Sequence, residues 1–116
     1  MIETRLAVIL LAIHWTGDFV LQFNIIAARK GVSVKWLAMH VLLYASTLFI
    51  AALFLAEWSA VVPFVLYNAI AHFVIDLGTS QLTNRWKDDA RLFYLTIGFD
   101  QFLHTTILII TASLLL

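Results

Sequence analysis

Long apolar runs alternate with short polar connections along this chain. Residues 6–25, 36–56, 60–77 and 92–115 form four runs with few charges. Each is close to the ~20 residues that a helix needs to cross a hydrocarbon core of ~30 Å. In lipid the backbone must satisfy its own hydrogen bonds, so each run predicts a transmembrane helix. The expected fold is all-α: a polytopic membrane protein with four transmembrane helices in a compact bundle, one domain over residues 1–116. "NIIAARKGVSVK" joins the first two runs, "EWS" the second and third, and "GTSQLTNRWKDDAR" the last two. Pro63 is expected in the first turn of the third helix, where a missing N–H does no harm. Arg5 followed by Leu6–Ile13 has the outline of a signal peptide. His-Trp-Thr-Gly-Asp follows it instead of a small-x-small cleavage site, so the segment reads as a retained first helix.

Composition strengthens the membrane reading. Apolar residues make up 63% and charged residues 12%, whereas soluble domains are about half apolar and about a quarter charged. There is no cysteine, which excludes disulfides, thiolate metal sites and a cysteine nucleophile. The formal net charge is zero, so no global field points to nucleic acid. Basic residues are nevertheless unevenly placed. Arg29, Lys30, Lys35, Arg85, Lys87 and Arg91 lie in the first and third connections, and only Arg5 lies on the opposite side. By the positive-inside rule those connections are cytoplasmic and both termini are not. The role expected of these basic residues is to set topology. Trp36, Trp58 and Trp86 fall at run ends, as interfacial anchors do.

Within the runs, polar residues recur at helical spacing. The first has His14, Asp18 and Gln22, and the third has Asn68, His72 and Asp76. The fourth has Asp100, Gln101 and His104, and the second has His40 with Tyr44 one turn on. Residues i and i+4 share a helix face, so every helix offers a polar stripe containing a histidine. Counted inward from the basic ends at ~1.5 Å per residue, Asp18, His72 and Asp100 lie roughly 9–12 Å deep and His14 and His104 roughly 16–18 Å. Asp76 and His40 lie nearer that surface. The depths overlap, so the stripes predict one shared site in the cytoplasmic half. The order His-x-x-x-Asp, His, His-x-x-x-Asp, His also hints at two parallel repeats.

An aspartate at a helix centre costs about 2.5–3.5 kcal/mol on insertion scales. Such groups must pair, be protonated, face water or bind a cation. Histidine and aspartate without cysteine suit a divalent ion, zinc first, with manganese or iron also compatible. Four-helix bundles build such sites from inward stripes. His14, Asp18, His40, His72, Asp76, Asp100 and His104 are the expected metal ligands or their supports, and Asp18 and Asp100 the expected catalytic carboxylates. The competing role is interhelical hydrogen bonding, worth about 0.6–2 kcal/mol per group. That role suits Gln22, Asn68, Gln101 and Tyr44 best. Gly17 and Gly98 are expected to permit close helix approach.

His14-x-x-x-Asp18-Phe19-x-x-Gln22, the lone His40, Asn68-x-x-x-His72-x-x-x-Asp76 and Asp100-Gln101-x-x-His104 together resemble domain-of-unknown-function family 3307. The resemblance spans nearly the whole chain. It implies a small integral protein of the bacterial inner membrane, of cellular or phage origin, and implies no activity. In residue types, though not in motif order, the chain is also similar to small membrane metal-dependent hydrolases.

Three functions compete. A metal-dependent hydrolase would act on a lipid or another membrane-embedded substrate, with water activated on the ion. A proton or divalent-cation transporter would use the Asp/His chain as a relay and would need a homo-oligomer. Its polar path would have to continue outward, yet the outer halves of the helices are nearly all apolar. A non-catalytic membrane subunit would use the cluster as a structural core. The lipid bilayer is the expected partner in all three.

Overall fold

A computed structural model describes residues 2–116 of the chain. It is all-helical. α1 spans Thr4–Trp15, α2 Asn24–Arg29, α3 Val34–Ala52, α4 Trp58–Arg85 and α5 Ala90–Leu115. Among the described residues, α3, α4 and α5 are the helices long and apolar enough to cross a membrane. The outward faces of the bundle carry exposed Leu42, Ile50, Leu66, Ile70, Phe102 and Ile110. That is the surface expected where the surrounding solvent is lipid. The molecule measures 44 × 26 × 20 Å.

The first apolar run departs from a single straight helix. α1 passes into a π-helical turn over Thr16–Val20, in which the Leu21 N–H donates to the Thr16 carbonyl, five residues back, at 3.0 Å. Residues 21–23 are non-helical, and α2 is a separate six-residue helix. Gly17 packs this turn closely on α3. A Cβ there would lie 3.2 Å from the Tyr44 ring and 3.4 Å from Thr47 Cβ, so a larger residue would have to push these α3 side chains back by a few tenths of an ångström.

Hydropathy marks where lipid contact ends, and α4 does not end there. It starts at Trp58 and continues eight residues past Leu77 to Arg85, through what the apolar pattern reads as connection. Its earlier start puts Pro63 in the second turn, so the Ser59 carbonyl loses its usual i+4 donor. α5 is capped by Asp89, whose carboxylate accepts from the Leu92 N–H at 3.1 Å.

Around the bundle the order is α1, α3, α4, α5, with α1 also touching α5. α1 therefore lies diagonal to α4, and α3 to α5, the pairing that the repeated histidine pattern suggests. The interior divides along its length. Toward the N-terminus of α1, Leu10, Leu48, Val61, Phe64, Leu108 and Ala112 form a buried apolar layer. Asn68 crosses it as interhelical glue, donating to Thr111 Oγ1 at 2.8 Å. Toward the basic connections the interior is polar.

Gly98 does not serve close approach, since a Cβ there meets nothing within 4 Å. Gly31 does. Its Cβ would lie 2.6 Å from the Ser80 carbonyl oxygen, which locks the α2–α3 connection against the extended end of α4.

Candidate metal centre

The polar half is built from two or three side chains per helix, counting the π-turn with α1. α1 supplies His14 and the π-turn Asp18. α3 supplies His40 and Tyr44, α4 His72 and Asp76, and α5 Asp100, Gln101 and His104. His14, Asp18, His40, His72, Asp76 and His104 are all buried, and Asp100 is half-buried. The structure thus gathers all seven sequence-predicted residues into one cluster.

Four of them converge most tightly. His40 Nε2 lies 3.0 Å from Asp18 Oδ1, 3.2 Å from Asp76 Oδ2 and 3.1 Å from His72 Nε2. His72 Nε2 lies 3.3 Å from Asp18 Oδ1 and 3.6 Å from Asp76 Oδ2. Donors placed tetrahedrally about 2.0–2.1 Å from zinc stand roughly 3.3–3.4 Å apart. The five separations scatter around that edge. Two imidazole nitrogens and two carboxylate oxygens here have the spacing and chemistry to hold a metal ion. Without a cation, an Nε2–H can donate to a carboxylate, as His40 Nε2 can to Asp18 Oδ1, but one ion would satisfy all four donors at once. The Nδ1 atoms of His40 and His72 have no hydrogen-bond partner, so the tautomer of each ring is set by what Nε2 faces.

His14 is placed differently. Its Nδ1 lies 3.1 Å from the Tyr44 hydroxyl and its Nε2 2.9 Å from Gln101 Oε1. Gln101 Nε2 lies 2.7 Å from Asp18 Oδ2 and 3.0 Å from Asp100 Oδ2. Carboxylates only accept, so the amide NH₂ must face them and Oε1 must face His14. The neutral His14 ring therefore donates from Nε2 to Gln101 and accepts the Tyr44 O–H at Nδ1. Both ring nitrogens are used, and His14 supports the cluster through Gln101. The Tyr44 ring stacks on His72 with centroids 4.1 Å apart.

Three contributors lie outside the set read from the apolar pattern. Lys30, expected only to set topology, reaches in from the α2–α3 connection and donates to Asp76 Oδ2 at 3.1 Å. Nothing in a run-end lysine distinguishes this role from an interfacial one. Thr79 donates to Asp100 Oδ1, and the Ser80 hydroxyl to the Asp76 carbonyl. Their signal was readable: the stripe Asn68, His72, Asp76 continues one turn further at Ser80.

A cavity of about 310 Å³ opens beside the cluster at its basic end. Asp18, Asp100 and Gln101 line it on the cluster side, and Lys30, Lys87 and Asn84 farther out. Phe19, Phe93 and Ile97 give it an apolar wall. Gln22 also lines it, with a buried Oε1 that has no hydrogen-bond partner.

Compared with known proteins, the chain matches the family described as "Protein of unknown function (DUF3307)" over residues 6–116. The chain belongs to DUF3307. No curated protein and no solved structure matches it. The match runs from Leu6 in α1 through α5 and includes every residue of the cluster, and it assigns none of them a role.

Proposed function

We propose that this DUF3307 protein is a multi-pass protein of the bacterial inner membrane that binds a divalent metal ion between Asp18, His40, His72 and Asp76. It uses the ion to hydrolyse a lipid or another membrane-embedded substrate. The observation that supports this reading most directly is the 3.0–3.6 Å spacing of His40 and His72 Nε2 from each other and from one oxygen each of Asp18 and Asp76, four buried donors from three elements of the bundle. Zinc fits the set first, and manganese or iron share its ligand preferences. α1 and its π-turn rise roughly 25 Å together and act as a fourth span. The basic end is cytoplasmic and both termini lie on the other side.

A divalent ion with an open position lowers the pKa of bound water to about 7 and polarises a substrate oxygen. The chain's own residues do the rest. Asp76 is divided between the donor set and Lys30, and when Lys30 holds it three protein donors and one open position remain. Asp18 and Asp100 line the cavity, where a water beside the centre finds its proton acceptor. Lys30 and Lys87 favour an anionic head group, and Phe19, Phe93 and Ile97 accept the start of an acyl or prenyl chain. The apolar layer on the far side of the cluster argues against a conducting path.

The test is metal content of tag-free protein in mild detergent, by inductively coupled plasma mass spectrometry. At least one equivalent of zinc, manganese or iron, absent from His40→Ala and His72→Ala, is expected. Release of product from fluorescent lipid esters and phosphoesters should then follow metal loading. Wild-type protein that stays metal-free after reconstitution would end the metalloenzyme reading.

A further inference from the structure

The four-donor set leaves one buried histidine without a function. His104 is 4% exposed, and neither ring nitrogen has a hydrogen-bond partner. An imidazole must carry a proton or a cation on at least one nitrogen, and leaving both edges unpaired inside a bundle is costly. Both edges nevertheless face carboxylates. Nδ1 lies 3.3 Å from Asp100 Oδ2 and Nε2 lies 3.4 Å from Asp76 Oδ1. Those separations again resemble the distance between two ligands of one metal.

The carboxylates are arranged to serve two positions. Asp18 directs Oδ1 to His40 and His72, and Oδ2 to the Gln101 amide. Asp76 likewise gives Oδ2 to the first set and Oδ1 to His104. The Gln101 amide holds Asp18 Oδ2 and Asp100 Oδ2 side by side, where they would otherwise repel. Thr79 fixes the other oxygen of Asp100. Donor atoms of Asp18, Asp100 and His104 all lie within 4.8 Å of one another.

We infer that the cluster binds a second divalent cation between Asp18, Asp100 and His104, with the Asp18 carboxylate shared between the two ions. This rests on the metal centre proposed above. Carboxylate-bridged ions typically stand about 3.5–4 Å apart and clamp the attacking and leaving oxygens of a displacement. The second site has three protein donors and so keeps a position open. Two of the three, Asp18 and Asp100, line the cavity. The second ion is thus the one that water and substrate meet. Its donors are two carboxylates and one imidazole, a harder set than the first, which suits manganese as well as zinc. Two divalent ions exceed the charge of Asp18, Asp76 and Asp100 by one, and a bound hydroxide would offset that excess.

The experiment is stoichiometry on the full chain, stripped with chelator in detergent and reloaded with Mn²⁺ alone. Equilibrium dialysis should give two equivalents per chain, with the multiline paramagnetic resonance spectrum of a coupled pair. His104→Ala and Asp100→Asn should each bind one equivalent and show only an uncoupled spectrum. The retained equivalent reports that the bundle is still folded. One equivalent in wild type, unchanged in both variants, overturns the second site while leaving the first standing. Two uncoupled equivalents also overturn it, because the shared carboxylate is then absent. No binding of Mn²⁺, nor of Zn²⁺ loaded in its place, overturns both readings.

Discussion

The chain carries His-x-x-x-Asp twice, and the two copies meet different neighbours. Locally they match: His14 Nε2 to Asp18 Oδ2 and His72 Nε2 to Asp76 Oδ2 are both 3.6 Å. Yet His72 faces His40 and two carboxylates, while His14 is taken up at one nitrogen by Tyr44 and at the other by Gln101. The surrounding halves differ as well. The second copy rides a continuous 28-residue helix, and the first sits where a helix breaks into a π-turn. A motif's spacing brings its residues to one face, and the neighbouring elements decide which histidine joins the four-group cluster and which is taken up by hydrogen bonds.

Removing the histidine from each copy breaks this comparison most sharply. His72→Ala should abolish stoichiometric metal binding, since it deletes one of the four donors. His14→Ala should retain the ion with an affinity about 10–100-fold weaker, the usual cost of losing an outer support. Equal losses in a competitive chelator titration would show that the copies are equivalent after all. Gly31→Ala should lower stability by about 1–3 kcal/mol, because its methyl meets the Ser80 backbone. Thermal unfolding in detergent measures this. Tyr44→Phe should cost about 1 kcal/mol by removing the hydroxyl that His14 accepts. Its metal stoichiometry should be unchanged. Gly98→Ala, in the unbroken half where a Cβ meets nothing, should stabilise by about 0.5–1 kcal/mol.

Much of the centre was legible because two periodicities coincide. Helical spacing puts His72 and Asp76 on one face, and the distribution of basic residues aligns the depths of all the stripes. His40, a lone histidine with no partner in its own helix, still lands among the four donors. The break after Trp15 was not legible. Residues 16–23 hold no proline or charge run that would mark a break, and the close packing of Gly17 on Tyr44 and Thr47 of α3 is a tertiary contact. Hydropathy likewise missed the last eight residues of α4, which are polar and helical together. The work of Lys30 was hidden because a lysine that anchors at the interface and one that turns inward occupy the same place in sequence.

The apolar layer around Leu10, Leu48, Val61, Phe64 and Leu108 has an electrical consequence. It is the dry, low-dielectric part of the bundle, so much of any transmembrane voltage falls across it. The Asp/His cluster lies on the cavity side of that insulator. Carrying one charge through the full membrane potential is worth about 2.3 kcal/mol per 100 mV, but a cation arriving through the cavity crosses only a fraction of that field. Its affinity should therefore respond weakly to membrane voltage.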